Sequence, residues 1–301
     1  MNKTKKMKKA DARELMTGLL FIAPGLIGFI VFILIPVIFS LILTLTKWNF
    51  MEGFGGIKFN GIENFKRLFT DINFTSSFSN NFVFTAVSIP VLIILGLVLA
   101  AIMDKYIYGN SFIRVFIFIP YIASVVAVCP VWMVLMHPTF GPINQFLMSI
   151  GIENPPKWLA DFQWALPSVI IVYVWQQVGY YVIVFMSGLK SISDDVYEAA
   201  SIDGASPVRQ FFSITIPLVS PTTFFLVTMG IIGSFKIFDH ISVLTQGGPG
   251  TSTSVMAFYI YRKAFIDFDM GYANTLAWAL FVLIFIVTIV QYSAQKKFTN
   301  E

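Results

Sequence analysis

An uncharged segment of 26 residues, WALPSVIIVYVWQQVGYYVIVFMSGL, carries two glutamines near its midpoint. Tyr173, Gln176, Gln177 and Tyr180 are spaced i, i+3, i+4 and i+7, so they share one face of a helix. Amides both donate and accept hydrogen bonds, and tyrosine rings offer a flat apolar surface with a polar tip. This mixture suits a neutral, hydroxyl-rich ligand, since no charge lies nearby to select a phosphate or a carboxylate. The alternative is that these side chains only bond neighbouring helices to one another.

The composition places this face inside a lipid membrane. Of the 301 residues, 56% are hydrophobic and 12% are charged, against about 25% charged in soluble domains. Six stretches reach the roughly 20 apolar residues that a membrane span needs. They are Thr17–Leu45, Phe82–Met103, Val115–Met136, Trp164–Leu189, Leu218–Val243 and Tyr272–Tyr292. The predicted fold class is therefore an all-α polytopic membrane protein with six transmembrane helices.

The distribution of basic residues predicts the orientation of these spans. With the N-terminus inside, 12 of the 20 Lys and Arg residues face the cytosol and seven face outwards, as the positive-inside bias requires. Both termini are then cytosolic. The predicted organisation is a cytosolic N-terminal segment (1–16), a transmembrane domain (17–292) that includes a long internal loop (190–217), and a cytosolic tail (293–301).

The internal loop, KSISDDVYEAASIDGASPVRQFFSITIP, predicts two short helices joined by a turn. Ser193 is a suitable N-cap for the first helix. Gly204 accepts the left-handed conformation that follows a helix end. Ser206 then caps a second helix with Pro207 at its first position, and this helix is predicted to end before Pro217.

The first of these helices is suited to contact another protein. Ala199 and Ala200 have small side chains, so the helix can sit closely in a groove. Val196, Tyr197 and Ile202 offer apolar anchors for a partner. An ordinary surface hairpin between two spans is the alternative interpretation.

The stretch EAASIDGASPVRQFFSITIP resembles the EAA loop of permease subunits of bacterial ABC importers. The family pattern is Glu-Ala-Ala, three residues, Gly, nine residues, then Ile-x-Leu-Pro, and Ile216 stands here in place of the Leu. The matching positions are Glu198, Ala199, Ala200, Gly204, Ile214 and Pro217. The segments GPINQFL and LTQGGPGTSTSVMAFYIYRKAF also look like the maltose-type branch of sugar permeases. The resemblance covers roughly residues 81–295 and implies the permease fold of a type I ABC importer.

The resemblance also implies partners. In that family the EAA helix docks into a cleft of a cytosolic ATPase, so Glu198 would contact the ATPase and Gly204 would shape the coupling turn. The sequence contains no G-x-x-x-x-G-K-[ST] motif, so ATP hydrolysis is expected on a separate subunit that binds ATP and Mg²⁺. We expect no cofactor, metal or nucleic acid on this chain and no enzymatic activity of its own. The expected partners are a second homologous permease in a heterodimer, two ATPase subunits and an extracellular solute-binding lipoprotein at the cell membrane.

In maltose-type permeases the sugar lies midway across the membrane, between the spans that flank the EAA loop. The matching positions are Tyr173, Gln176, Gln177 and Tyr180 on the fourth span, with Gly230 and Ser234 on the fifth. Tyr180 keeps the family-like residue type, whereas the two glutamines do not, so the identity of the sugar does not carry over.

A charged cluster follows near the outer end of the fifth predicted span. Lys236, Asp239 and His240 are spaced i, i+3 and i+4. An ion pair with a snorkelling lysine is one interpretation, and a gate or substrate contact is the other. Neither histidine of the chain has metal-ligand spacing to a further ligand.

The predicted function is the membrane subunit of an ATP-driven sugar importer that works by alternating access. Glycerol-phosphate-type or polyol cargo is the alternative within the family, and the uncharged pocket face disfavours the phosphate. A stand-alone secondary transporter would usually show internal repeats and a buried coupling carboxylate. A membrane enzyme would need a nucleophile with its base or paired carboxylates inside the spans. Neither pattern is evident in the sequence.

Overall fold

The computed structural model describes residues 3–106 and 111–299, with the side chains of 14–104 and 112–293, and this part is mostly helical. The predicted terminal segments 1–16 and 293–301 therefore lie partly outside the described residues. The α-helices are α1 (Lys3–Phe29), α2 (Ile35–Leu43), α3 (Glu63–Leu68), α4 (Ile72–Tyr106), α5 (Ser111–Ile122), α6 (Val125–Leu135), α7 (Pro142–Ser149), α8 (Ala165–Leu189), α9 (Asp194–Ile202), α10 (Pro207–Gln210), α11 (Ile216–Leu218), α12 (Ser220–Phe235), α13 (Asp239–Leu244), α14 (Met256–Tyr261) and α15 (Met270–Thr299). Two short antiparallel strands are β1 (Thr46–Lys47) and β2 (Lys58–Phe59).

The chain forms two compact units, and the first comprises residues 1–68 and 263–278. Within it, α1 and α2 are joined by a π-helical turn, and the hairpin of β1 and β2 follows. Asn64 on α3 donates hydrogen bonds to the backbone oxygens of Thr44 and Thr46, at 2.9 and 2.8 Å. Arg67 forms an ion pair with Asp269 at 2.8 Å. Polar contacts therefore organise the loop part of this unit.

The second unit comprises residues 69–262 and 279–301 and is built around α8. This helix packs against α4 and α5. A side chain at Gly179 would clash with the backbone oxygen of Ile117 on α5, and one at Gly96 on α4 would meet the Cβ of Tyr181 at 2.7 Å. Glycine at these two positions thus allows the helices to approach closely, as is common for helices in membranes.

The apolar helices agree with the predicted spans in position, with two differences. Among the described residues, four segments are long and apolar enough to cross a membrane: Glu14–Leu43, Ile72–Asp104, Ala165–Leu189 and Met270–Ser293. The third predicted span is instead a pair of helices, α5 and α6, bent by 97°. The second bent pair joins Pro207–Leu218, in the predicted internal loop, to α12 at an angle of 64°, so the fifth predicted span begins at this bend. The count is therefore four, or up to six if each bent pair makes one span.

Backbone conformation explains the bend between α5 and α6. Ser124 adopts an extended conformation, with φ −60° and ψ 131°, so the helical hydrogen bonds stop and restart at this residue. Pro120 lies two residues before the end of α5, and a proline removes one N–H from the helical ladder. A hydropathy pattern does not register such a break, because every residue around it is apolar or small.

Candidate functional site

A cavity of about 410 Å³ lies in the second unit, bordered by α8, α12 and the bend between α5 and α6. This volume falls within the usual range of small-molecule sites, about 300–1,000 Å³. Its wall combines aromatic, amide and charged side chains with a glycine, among them Tyr121, Tyr173, Gln177, Tyr180, Tyr181, Gly230, Lys236 and Asp239. The cavity thus brings together most of the residues that the sequence singled out.

Tyrosines form the apolar surface of the cavity. The rings of Tyr121 and Tyr180 are stacked, with centroids 5.2 Å apart and an angle of 23°. Tyr181 meets Tyr180 edge to face at 5.9 Å. A Cβ at Gly230 would clash with the Tyr181 hydroxyl, so glycine lets α12 lie close to this ring. The wall therefore presents flat aromatic surface next to hydroxyl groups.

The two adjacent glutamines have different environments. Gln177 lines the cavity. Gln176 is only 2% exposed, and its Nε2 donates to the backbone oxygen of Ala123 at 2.9 Å. Its Oε1 accepts from Nε2 of His240 at 2.7 Å. The prediction that all four polar residues face one cavity is therefore wrong for Gln176, because successive residues point about 100° apart around a helix.

Ser234 is a second predicted pathway residue that does not lie on the cavity wall. It is fully buried, and its Oγ lies 2.8 Å from Oγ1 of Thr85 on α4. Its backbone oxygen accepts from Nδ2 of Asn81 at 3.1 Å. These bonds to α4 hold Ser234 away from the cavity, whereas Gly230 on the same helix borders it.

The charged cluster after α12 lies at the cavity. Lys236 and Asp239 both line it, and no ion pair between them is recorded in the described part of the chain. The prediction that no charge lies near the polar face is therefore wrong, because α12 ends at Phe235 and the residues that follow it border the cavity. His240 packs its ring edge against Tyr173, with centroids 5.4 Å apart. The wall thus carries one positive and one negative side chain.

The hairpin between α8 and α12 has the predicted elements. The Ser193 side chain accepts from the backbone N–H of Asp195 at 3.4 Å and caps α9. Gly204 has φ +78°, a conformation that favours glycine. Ser206 caps α10, which begins at Pro207.

The second helix of the hairpin does not end before Pro217 as predicted. It continues through a π-helical turn, Phe211–Thr215, and through α11 to Leu218. Pro217 lies in the first turn of α11, where a missing backbone N–H is tolerated. The wider π turn accommodates the shift in the hydrogen-bond pattern.

Side chains fix the two arms of this hairpin to each other. The hydroxyls of Tyr197 and Thr215 lie 3.0 Å apart. Gln210 donates from Nε2 to the hydroxyl of Ser201 at 3.0 Å and to the backbone oxygen of Ala205 at 3.1 Å. Tyr197 is therefore turned towards the second arm and is not the outward anchor that the sequence suggested.

The outer surface of the hairpin is apolar. Ile202 is 87% exposed, Val208 67% and Phe212 63%. Glu198 and Ala199 are exposed beside them. Large apolar side chains grouped on a surface mark a site of contact with another molecule. Of the other three predicted coupling positions, Ala200 and Ile214 are half-buried and Pro217 is exposed.

Comparison with known proteins identifies the family. The family described as "binding-protein-dependent transport system inner membrane component" matches residues 73–300. The chain belongs to this family. As an inner membrane component of such a transport system, it is a permease subunit of an ABC importer and resides in the cell membrane.

Two curated relatives cover almost all of this permease. The probable ABC transporter permease protein YurN of Bacillus subtilis is 34% identical over 90% of the chain and 93% of its own length. The lactose transport system permease protein LacF of Rhizobium radiobacter is 33% identical over 94% of the chain and 95% of its own length. One chain of a crystal structure of a bacterial ABC transporter for the acidic polysaccharide alginate matches with a TM-score of 0.79 and 22% identity, over 97% of this chain and 99% of that one. The fold is that of an ABC importer permease.

Sequence reasoning missed Tyr121 and Tyr181 on the cavity wall. Tyr181 directly follows Tyr180 and falls outside the i, i+3, i+4, i+7 pattern. Tyr121 lies beside Pro120 in the third predicted span. A tyrosine next to a proline inside an apolar run was the available signal that this span breaks near a polar site.

Proposed function

We propose that this permease subunit forms half of the translocation pathway for a neutral sugar or oligosaccharide. The observation that carries the proposal is the cavity wall, where the stacked Tyr121 and Tyr180 lie beside Gln177. Stacked rings offer apolar surface to the face of a sugar, and the amide of Gln177 can both donate to and accept from sugar hydroxyls. Lys236 and Asp239 add opposite charges, so the wall has no net charge to favour an anion.

In this proposal, the hairpin between α8 and α12 docks on a separate cytosolic ATPase subunit. Ile202, Val208 and Phe212 would be buried in that contact, with Glu198 at its edge. Burial of a large apolar side chain contributes about 1.5–3 kcal/mol. The preformed turn at Gly204 lowers the entropic cost of docking, because the hairpin is already ordered by its own hydrogen bonds.

The proposed topology is six spans with both termini in the cytosol. The bent pair of α5 and α6 makes the third span, residues 218–243 make the fifth, and the hairpin before residue 218 stays on the cytosolic side. Residues 1–16 and 293–301 would then be cytosolic segments on either side of the transmembrane domain. A second homologous permease would supply the other half of the pathway. Two ATPase subunits carrying ATP and Mg²⁺, and an extracellular solute-binding lipoprotein, would complete the importer.

The experiment is uptake by the complete importer in proteoliposomes, with radiolabelled lactose, maltose and glycerol 3-phosphate as probes. Gln177→Leu should lower uptake of the transported sugar about 10-fold, since a buried hydrogen bond contributes about 0.5–1.5 kcal/mol. Gln163→Leu is the matched control, because Gln163 is exposed and lies outside the cavity wall. Unchanged uptake in Gln177→Leu would refute the cavity as the pathway.

Glycerol-phosphate-type cargo is the second candidate. The permease protein UgpA of an sn-glycerol-3-phosphate transport system in Yersinia enterocolitica is 31% identical over 78% of this chain. Lys236 gives this candidate a structural basis, because this basic residue borders the cavity. If the importer takes up glycerol 3-phosphate but neither lactose nor maltose, this candidate is supported over a sugar.

A further inference from the structure

The buried amide of Gln176 connects two breaks in neighbouring helices. It bonds the backbone oxygen of Ala123, which lies between α5 and α6. It also bonds the ring of His240, in the first turn of α13, just after the break that follows α12. One side chain on the continuous helix α8 is therefore hydrogen-bonded to a residue at each break.

The bond to Ala123 satisfies a group that the helix break leaves without a partner. The last carbonyls of a helix have no N–H within that helix to accept from, and a buried carbonyl without a partner is costly. Because Nε2 of Gln176 donates to this carbonyl, Oε1 must point the other way, towards His240. Both the donor and the acceptor of the Gln176 amide therefore form hydrogen bonds. Both partners lie in the described part of the second unit.

Each of the two breaks carries side chains of the cavity wall. Tyr121 and Val125 lie on either side of the first break, and Lys236 and Asp239 lie at the second. A change in the angle of one bend moves its part of the wall. Without a connection, the two parts could move independently. The Gln176 amide spans the distance between them with two hydrogen bonds of 2.9 and 2.7 Å.

We propose that Gln176 is a positioning residue that makes the two helix breaks move as one unit during transport. This inference rests on the proposed role of the cavity as the transport pathway. Gln176 does not touch the cargo in this account, and Gln177, its neighbour in sequence, does. The function of the pair is thus divided between holding the wall and binding the ligand.

The experiment measures the bend directly in the complete importer in nanodiscs. Phe112 and Val131, which are 75% and 58% exposed, are replaced by cysteines that carry spin labels. The two labels report the distance across the bend between α5 and α6. The single native cysteine, Cys129, is replaced by alanine in all variants. The parent should give one narrow distance distribution without nucleotide and one with ATP and vanadate. Gln176→Leu and His240→Leu should each broaden both distributions at least 2-fold, and Gln163→Leu should leave them unchanged.

Two further comparisons make the outcome decisive. The double variant Gln176→Leu/His240→Leu should be no broader than either single variant, because the bridge is already lost in each. The ratio of ATP hydrolysis with and without the binding protein should fall towards 1 in Gln176→Leu. Gln176→Met keeps the approximate side-chain size and removes the hydrogen bonds to Ala123 and His240, so it replaces Gln176→Leu if that complex does not assemble.

Distributions in Gln176→Leu that superimpose on the parent would overturn the proposal, as would broadening in the double variant equal to the sum of the two single effects. The distance measurement uses no cargo, so it does not depend on which sugar is carried. If the cavity is not the pathway, Gln177→Leu leaves uptake unchanged, whatever the distances show. If only the bridge is wrong, Gln177→Leu still lowers uptake while the distances stay narrow.

Discussion

Two regions of the molecule differ in the side chains that they expose. One is the hairpin between α8 and α12, and the other is the cavity beside α8. In the hairpin, polar groups such as Tyr197 and Gln210 bond within the hairpin, and Ile202 and Phe212 remain exposed. In the cavity, apolar residues pack behind the wall, and Gln177 and the hydroxyl-bearing tyrosines face the open space. The hairpin presents an apolar surface, and the cavity presents a mixed surface of aromatic rings, hydroxyls, an amide and opposite charges.

This difference indicates two different kinds of partner. An apolar surface gains free energy by excluding water against another protein. A wall that mixes aromatic rings with polar groups binds a ligand by packing against it and by exchanging water for its hydroxyl groups, provided that each buried donor and acceptor is matched. Substitutions in the hairpin should therefore reduce association with the ATPase, and substitutions in the cavity should reduce recognition of the cargo.

The largest effect is expected for Ile202→Asp. The variant removes apolar burial of about 1.5–3 kcal/mol and places a charge in the contact, so ATPase binding should weaken at least about 100-fold. The measurement is co-purification with the ATPase subunit. Ile150→Asp is the matched control, because Ile150 is also exposed but lies on a predicted extracellular loop. Equal co-purification of both variants would contradict the docking role of the hairpin.

A smaller effect is expected for Tyr180→Ala in the cavity. The variant removes the ring that stacks on Tyr121, and the loss of aromatic contact should raise the KM for sugar uptake about 10-fold. ATPase co-purification should stay at the parent level, since the hairpin is intact. A loss of ATPase binding without a change in KM would reverse the assignment of the two regions.

Tyr197→Phe tests whether the hairpin is held by its own hydrogen bonds. The variant loses the bond to Thr215, which contributes about 0.5–1.5 kcal/mol. We expect amide deuterium exchange in α9 to accelerate about 3- to 10-fold and exchange in α8 to stay unchanged. Unaltered exchange in α9 would mean that packing, and not this bond, orders the hairpin.

The smallest effect is expected for Lys236→Met. If the cargo is neutral, removal of the positive charge should change sugar uptake by no more than about 2-fold, because an exposed charge contributes little to binding an uncharged ligand. Uptake of lactose, maltose and glycerol 3-phosphate is compared in the parent and the variant. A loss of uptake of more than about 10-fold in the variant would indicate an anionic cargo. The cavity would then recognise its ligand mainly by charge and not by hydroxyl groups.

The sequence was sufficient to predict the hairpin. Its caps at Ser193 and Ser206, its turn at Gly204 and its second start at Pro207 are local signals that depend on a few adjacent residues. The continuation past Pro217 was missed, because a π turn shifts the hydrogen-bond pattern without leaving a simple sequence signal.

The cavity could be predicted only in part. Helical spacing placed Gln177 and Tyr180 on one wall, because both lie on one continuous helix. It could not separate Gln176 from them, since the neighbour that binds Gln176 comes from a break at Ala123, more than 50 residues earlier in the chain. The same limit applies to Lys236, whose position depends on where α12 ends.

The most direct test of the account compares uptake of radiolabelled lactose and maltose by proteoliposomes that contain both permease subunits, with or without the ATPase subunits. ATP is supplied at the ATPase side, and the binding protein at the opposite side. Uptake should require the ATPase subunits and ATP, and Ile202→Asp should abolish it. Equal uptake by the permease subunits alone would contradict the account, because transport would then need no contact between the hairpin and an ATPase.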